Sequence, residues 1–300
     1  MKTKLFSLIL GIALLSNVAL ADWITFSSGT SNSIANIKFI NDQTGYMVGA
    51  SATVLRTTNS GSSWELLTVP TVSNLSGISF PTPLIGYISG GNTTTARMIK
   101  TTDGGNTWSV LNFPVSAKLH DVDFINETTG YAVGSNKIII KTTDGGANWV
   151  IQNQGGSEFF RSVKAFSESE VICCGSMGLI YKTTNGGTNW VSKTSPTTNE
   201  LTAMDFPNGM EGYILGVAGF ILKTANRGED WTMISIAGWT SLRGIKFLTV
   251  STGFAVGVNG AIIKTTDGGS SWVAEQSGTT EYLVCIEATP SHLHVGGDNG

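Results

Sequence analysis

The chain has 300 residues, including 37 glycines and 7 prolines, and only 13% of its side chains are charged. This composition is too apolar for a disordered protein and too rich in glycine for a helical one, so it favours an all-β fold. The net charge of −3 argues against a protein that binds nucleic acid. Cysteine is present in an odd number, Cys173, Cys174 and Cys285, which does not suit a framework of disulfides.

The N-terminus has the three parts of a secretory signal peptide. Lys2 and Lys4 precede an apolar run over residues 5–20, and Ala19 and Ala21 have the spacing that a signal peptidase requires. The run is short for a membrane span of about 20 apolar residues, which disfavours a retained anchor. We therefore predict a signal peptide over residues 1–21, cleaved after Ala21. The mature chain is then an exported protein without a transmembrane segment, located in the periplasm, at the cell surface or outside the cell.

Tryptophan and glycine recur at a fixed spacing along the rest of the chain. The tryptophans are 41 residues apart, with one interval of 44, at Trp23, Trp64, Trp108, Trp149, Trp190, Trp231 and Trp272. A glycine series has the same spacing, at Gly49, Gly90, Gly134, Gly175, Gly216 and Gly257. The longer interval places three extra residues in one loop, around residues 92–96.

Each repeat contains four short β-type runs separated by turn residues, as in the runs that begin at Leu242, Gly253, Ala261 and Trp272. A period of about 40–45 residues with four strands is typical of β-propeller blades. Residues 22–300 hold about seven periods, so the sequence predicts a single domain, an all-β, seven-bladed propeller with four-stranded blades.

The last blade is predicted to be truncated. Val295 and Gly296 repeat the glycine series, but no third strand or tryptophan turn follows them. Propellers often close by sharing one blade between the two chain ends, because closure removes exposed sheet edges. The segment around Trp23 is the candidate closing strand, and the third strand of this blade is expected to be missing.

The tryptophans end a recurring turn motif, S/T-x-D-x-G-x-x-W, known as the Asp-box. Its carboxylate can accept hydrogen bonds from the backbone of its own turn, and the tryptophan anchors the turn on the blade. Three repeats have asparagine in place of aspartate, which keeps the acceptor and indicates a structural role. The predicted structural pairs are Asn59 and Trp64, Asp103 and Trp108, Asp144 and Trp149, Asn185 and Trp190, Asn226 and Trp231, and Asp267 and Trp272.

The Gly-Tyr-x-Val-Gly strand at Gly45–Gly49 and again at Gly130–Gly134, followed by the Lys-Thr-Thr-Asp-Gly-Gly turn, resembles the photosystem II stability/assembly factor family. The resemblance covers nearly all of residues 23–300. It implies a seven-bladed propeller of the thylakoid lumen or periplasm that binds a protein client through a patch of arginines. In this chain, the residue after the leucine of each first strand gives a sparse version of that patch, with His120, Arg161 and Arg243 as candidate partner-binding residues. The alternative is that both arginines pair with nearby carboxylates.

Enzymatic functions are less consistent with the sequence. A sialidase needs three arginines at one site, and only Arg161 and Arg243 are placed for it. A two-carboxylate glycosidase would have to use Asp121, Asp123 or Asp205, but Asp123 and Asp205 share one repeat slot with lysines and a glutamate. We predict a non-enzymatic protein-binding or assembly scaffold without cofactor or metal, which contacts membranes only through its protein partner. The alternative is a secreted or cell-surface adhesion or carbohydrate-contacting repeat protein.

Three further sets of residues are predicted to have no specific functional role. A lysine series contributes one cation per repeat, and local pairing is expected to neutralise it; its members are Arg56, Lys100, Lys141, Lys182, Lys223 and Lys264. Lys182→Glu is expected to have little effect on partner binding. His292 and His294 lack a third metal ligand and are expected to be ordinary polar positions. The adjacent cysteines lie in an apolar strand and are expected to be buried thiols.

Overall fold

The computed structural model describes residues 7–11, 23–112, 114–236 and 238–300. Regular structure in these residues is β-strand, apart from three short 3-10 turns at Ala50–Ala52, Ser176–Gly178 and Val258–Gly260. The antiparallel strands form four-stranded sheets that stand around a central channel. The prediction of an all-β propeller is confirmed.

Six sheets are blades, each built from four strands that are consecutive in sequence. Blade 1 comprises β3 (Ile34–Phe39), β4 (Gly45–Gly49), β5 (Val54–Thr57) and β6 (Glu65–Leu66). Blade 2 comprises β7 (Leu75–Ser79), β8 (Gly86–Gly91), β9 (Ala96–Thr101) and β10 (Ser109–Val110). Blade 3 comprises β11 (Leu119–Phe124), β12 (Gly130–Gly134), β13 (Ile139–Thr142) and β14 (Val150–Asn153).

The remaining three blades have the same layout. Blade 4 comprises β15 (Phe160–Ala165), β16 (Val171–Gly175), β17 (Ile180–Thr183) and β18 (Val191–Ser192). Blade 5 comprises β19 (Leu201–Asp205), β20 (Gly212–Gly216), β21 (Phe220–Thr224) and β22 (Thr232–Ser235). Blade 6 comprises β23 (Leu242–Phe247), β24 (Gly253–Gly257), β25 (Ile262–Thr265) and β26 (Val273–Glu275).

The predicted count of seven blades is wrong, because only six repeats fold as blades. The four strands outside these blades form a composite sheet from the two ends of the chain, in the order β2-β1-β28-β27. These strands are β1 (Ser7–Gly11), β2 (Ile24–Phe26), β27 (Leu283–Ala288) and β28 (His292–Gly297). In this sheet β27 packs against β23 of blade 6 and β3 of blade 1, which closes the ring.

The composite sheet also corrects the expectation of a truncated blade with no third strand. β1 occupies that position and pairs with both β28 and β2, so the edge of β28 is not exposed. Backbone N–H and C=O groups along such an edge need partners, and a segment that does not follow the repeat can supply them. Periodicity therefore could not indicate this strand. The predicted cleavage site after Ala21 lies outside the described residues.

The strand register corrects one member of the glycine series. Gly257 of blade 6 is opposite Leu242, and the equivalent partner of Leu283 is Gly297 rather than Gly296. His294 therefore occupies the position that Phe254 has in blade 6. The insertion near residue 92 lengthens β8 and β9 to six residues each.

The hydrophobic core lies between neighbouring sheets. Tyr87 of β8 is fully buried and stacks on Phe124 of blade 3, with ring centroids 3.5 Å apart. Trp149 closes the same cluster, edge-on to Phe124 at 5.9 Å. Aromatic side chains thus join each blade to the next, because a single sheet has too little apolar surface to be stable by itself.

Candidate partner-binding site at the mouth of the central channel

The first strands line the central channel, and the residues at their start surround its mouth. A cavity of about 460 Å³ occupies this channel. It is lined by all members of the predicted slot, Ala35, Ser76, His120, Arg161, Thr202, Arg243 and Val284. The structure therefore places His120, Arg161 and Arg243 around one opening.

Arg161 and Arg243 share the carboxylate of Glu200. Glu200 directly precedes β19, the strand that lies between those of the two arginines in the ring. Arg161 Nε donates a hydrogen bond to Glu200 Oε1 at 2.8 Å, and Arg243 Nη1 lies 3.7 Å from the same oxygen. Arg243 Nε donates to the hydroxyl of Tyr282. The alternative of carboxylate pairing is thus found, yet about a third of each arginine side chain stays exposed, 33% and 35%.

His120 completes this cluster as a neutral group. Burial lowers its pKa to about 3, and the positive charges of Arg161 and Lys118 add to the effect. Arg161 Nη1 lies 3.5 Å from His120 Nδ1, and Ser135 Oγ lies 3.3 Å from His120 Nε2. Since the guanidinium can only donate, Nδ1 is the acceptor and Nε2 carries the proton. His120 therefore orients Arg161 and does not add a charge.

A second slot, one residue before the buried apolar residue that begins each first strand, places several side chains against the residues of the mouth, and the sequence analysis missed it. Its members are Ser33, Asn74, Lys118, Phe159, Glu200, Ser241 and Tyr282. Phe159 lies under Arg161, with the guanidinium carbon 4.8 Å from the ring centroid. The charged and aromatic members come from blades 3 to 5 and the composite sheet, whereas blades 1, 2 and 6 contribute small polar residues. The same 41-residue spacing that identified Arg161 could have revealed this slot.

Below the mouth, charged side chains of alternating sign form a girdle inside the channel. The girdle consists of Lys38, Asp123, Lys164, Asp205, Lys246 and Glu287, in ring order. Blade 2 has the uncharged Ser79 at the equivalent position. Lys164 pairs with Asp123 at 3.1 Å, and Lys246 pairs with Asp205 at 3.3 Å. Glu287 lies 3.7 Å from Lys246 and 3.5 Å from Lys38. The recurring polar slot noted in the sequence is thus a ring of ion pairs.

The girdle acids also hold adjacent first strands together. Asp123 Oδ2 accepts a hydrogen bond from the backbone N–H of Ala165 at 2.9 Å, and Asp205 Oδ2 accepts one from Phe247 at 2.7 Å. Asp121 spans the same two strands as Asp123, since Val163 N–H donates to its Oδ2 at 3.0 Å. Burial raises the pKa of Asp121 to about 7. These carboxylates are engaged by the fold itself.

Comparisons with known proteins identify the family. The family model described as "Photosynthesis system II assembly factor YCF48" matches residues 15–112, 106–194 and 165–243. The chain belongs to this family. The predicted resemblance to photosystem II assembly factors is therefore confirmed. Membership of this family indicates a scaffold protein rather than an enzyme. A search of curated protein sequences found no match.

Solved structures show the same fold at low sequence identity. A YCF48 bound to a D1 peptide is 21% identical, with a TM-score of 0.77 and coverage of 95% of this chain and 97% of that one. YCF48 from Cyanidioschyzon merolae is 20% identical, with a TM-score of 0.77 and coverage of 93% and 97%. The GH74 xyloglucanase from Xanthomonas campestris is 12% identical, with a TM-score of 0.76, and this chain covers 52% of it. At these identities the likeness shows the fold alone.

The tryptophan turns of this YCF48 family member are held by the side chain of their aspartate. Asp103 Oδ1 accepts hydrogen bonds from Thr107 N–H at 2.9 Å and from Thr101 Oγ1 at 2.8 Å. Hydrogen bonds from Thr107 and Thr101 lower the pKa of Asp103 to about 2. Asp144 is bonded in the same way to Asn148 and Thr142, and Asp267 to Ser271 and Thr265. Each carboxylate is used within its own turn.

Asparagine makes the same turn in three blades. Asn59 Oδ1 accepts hydrogen bonds from Ser63 N–H at 3.0 Å and Thr57 Oγ1 at 2.9 Å. The amide oxygens of Asn185 and Asn226 accept equivalent bonds.

The tryptophans of all these turns stand edge-on to an aromatic ring, as Trp149 does to Phe124. The other five pairs are Trp64 and Phe39, Trp108 and Phe80, Trp190 and Tyr131, Trp231 and Phe206, and Trp272 and Phe247.

The lysine series joins blades 1 to 5 to the tryptophan turn of the following blade. Lys100 Nζ donates to the carbonyl of Gly145 at 2.7 Å, and Lys141 Nζ to that of Gly186 at 2.9 Å. Lys182 is a buried member, only 3% exposed, and pairs with Glu170 at 2.9 Å and Glu229 at 2.7 Å. Lys182→Glu would place a third carboxylate beside these two, so we expect this change to destabilise the fold. Its small predicted effect on partner binding stays a prediction.

The remaining candidates are structural. Cys173, Cys174 and Cys285 are buried free thiols, as predicted for the adjacent pair. His294 is fully buried and stacks on Phe39 of blade 1 at 3.9 Å. Among the described residues, no cluster of three histidine, cysteine or acidic side chains is arranged to hold a metal. The described ranges also contain no helix long and apolar enough to span a membrane.

Proposed function

We propose that this protein is an exported, non-enzymatic scaffold that binds an extended, carboxylate-bearing protein segment at the mouth of its channel. The observation that carries this proposal is the cluster of Lys118, Arg161 and Arg243 on one side of the mouth, beside the aromatic rings of Phe159 and Tyr282. Guanidinium groups bind carboxylates through paired hydrogen bonds, and neighbouring aromatic rings suit the apolar part of a peptide.

The family supports a protein as the partner. A YCF48 has been solved bound to a D1 peptide, and we extend peptide binding, as a class of activity, to this chain. The charged half of the mouth leaves Ala35 and Ser76 on the opposite side, so a bound segment would cross only part of the opening. We do not extend the D1 protein itself as the client.

The carboxylates of the channel argue for a scaffold over a glycosidase. A two-carboxylate glycosidase needs an acid and a base that both reach the substrate. Asp123 and Asp205 are each held by a lysine and by a backbone N–H. Both oxygens of Asp121 accept backbone hydrogen bonds, from Val122 and Val163.

The test is to remove the two arginine charges and measure peptide binding. Arg161→Gln combined with Arg243→Gln should weaken binding of a fluorescein-labelled tetraglutamate peptide by at least tenfold in fluorescence anisotropy. Each charge-assisted hydrogen bond contributes about 1.5–3 kcal/mol, and the exposure of both side chains reduces that value. The matched control is Arg97→Gln, since Arg97 bonds only to the carbonyl of its neighbour Ala96 among the described residues.

Two results would count against the proposal. One is that the Arg161→Gln, Arg243→Gln double variant binds the tetraglutamate peptide as tightly as the wild type does. The other is hydrolysis of a panel of β-glucans and sialosides by the purified protein. Export is tested separately by mass spectrometry of the protein recovered outside the cytoplasm, which should begin at Asp22. Cleavage there removes β1, so the edge of β28 that pairs with β1 is open in the exported form.

A further inference from the structure

We propose that Glu200 is a built-in competitor that occupies the anion-binding position between Arg161 and Arg243 until a partner carboxylate replaces it. This inference rests on the proposed function, since it concerns the same mouth. It assigns to Glu200 a role in setting how strongly, and for which segments, the mouth binds.

The geometry around Glu200 is that of a bound anion. Its Oε1 accepts from Arg161 Nε at 2.8 Å and lies 3.7 Å from Arg243 Nη1, so two guanidinium groups from different blades converge on one oxygen. No hydrogen bond to Oε2 is found among the described residues. A quarter of the Glu200 side chain, 25%, is exposed. A partner carboxylate that binds both arginines would therefore compete with Glu200 for the same donors.

The fold does not require an acid at this position. The same slot holds Ser33 in blade 1, Asn74 in blade 2 and Ser241 in blade 6, and these blades have the same strand layout. The burial that anchors the strand belongs to the next residue, Leu201, which is fully buried. The carboxylate of Glu200 thus serves the arginines rather than the propeller.

The competition has an energetic consequence. A partner that binds both arginines must break the pair with Arg161 and turn the Glu200 side chain away, so its gain is the difference between two similar charge-assisted contacts. If Glu200 stays in place, an incoming carboxylate also meets a like charge. Both effects weaken binding of a single carboxylate and favour segments that carry several.

The decisive variant is Glu200→Gln, which keeps the shape of the side chain and removes its charge. The probe is the fluorescein-labelled tetraglutamate peptide, with tetraglutamine as the neutral comparison, measured by anisotropy at low salt. We expect the variant to bind tetraglutamate five- to tenfold more tightly than the wild type. The gain should disappear when Arg161→Gln and Arg243→Gln are added, and tetraglutamine binding should not change.

Glu65→Gln is the matched control, because it removes the same formal charge at the outer strand β6, where Glu65 pairs with Arg56. It should change tetraglutamate binding by less than twofold. If Glu200→Gln does not fold, Glu200→Ser replaces it, since serine occupies the slot in two blades.

The outcomes separate the two proposals. Equal or weaker binding by Glu200→Gln, in a protein whose wild-type binding still depends on the arginines, overturns the competitor role and leaves the proposed function standing. An equal gain in Glu65→Gln also overturns it, because the effect would then come from net charge alone. If neither the wild type nor Glu200→Gln binds the tetraglutamate peptide, both proposals fail.

Discussion

Lys182 offers the sharpest test of how the blades are joined. Its side chain lies between blades 4 and 5 and is 3% exposed. Its ammonium group contacts three acceptors: Glu170 Oε1 at 2.9 Å, Glu229 Oε1 at 2.7 Å and the carbonyl of Arg227 at 2.9 Å. Replacement by methionine keeps the apolar stem and leaves these acceptors without their shared donor.

The magnitude follows from what each acceptor keeps. Breaking a buried ion pair costs about 3–5 kcal/mol when the remaining charge has no other partner. Here Glu229 retains Lys193 at 2.6 Å, and Glu170 retains Arg227 at 2.7 Å. The two glutamates are also 21% and 44% exposed, so water can solvate part of the loss. We therefore expect Lys182→Met to lower the free energy of unfolding by about 2–4 kcal/mol.

The assay is urea denaturation followed by tryptophan fluorescence, with Lys264→Met as the matched control. Lys264 holds the same slot in blade 6 and packs over Phe254 at 5.7 Å, but it has no ion pair or side-chain hydrogen bond among the described residues. The control should lose less than about 1 kcal/mol. Equal losses in the two variants would refute the argument, because the stability would then come from the packed stem and not from the charges.

Two further predictions concern the turns and the channel. Trp149→Ala should lower the free energy of unfolding by about 3–5 kcal/mol, because it empties a buried aromatic site against Phe124. Asp144→Asn should leave the urea midpoint nearly unchanged at pH 7, since Asn59 already makes the same turn. A large shift for Asp144→Asn would contradict a purely structural turn. The pKa of Asp121 is raised to about 7, so the folded state holds its proton more tightly, and this residue's own contribution to stability falls by about 2–4 kcal/mol as pH rises from 4 to 7. Asp121→Asn should remove this slope in denaturation curves, and an unchanged slope would show that another group causes it.

The sequence alone determined the repeat and the local structure of each unit. Spacing of 41 residues located the strands, the tryptophan turns and the slot of His120, Arg161 and Arg243, because residues that recur with the period of the blade occupy equivalent places in space. The hydrogen bonds of the tryptophan turns could also be predicted from the sequence, because Asp103 bonds only to residues a few positions away in the chain.

Only the tertiary structure showed which side chains of different blades contact one another. Glu200 meets Arg161 and Arg243 across three different sheets, and Lys182 meets Glu229 at a separation of 47 residues, so these pairs depend on how adjacent blades are oriented. The prediction of a missing third strand failed for a related reason. Ring closure is set by which backbone edge finds a partner, and β1, a segment outside the repeat, fills that edge although no periodicity marks it.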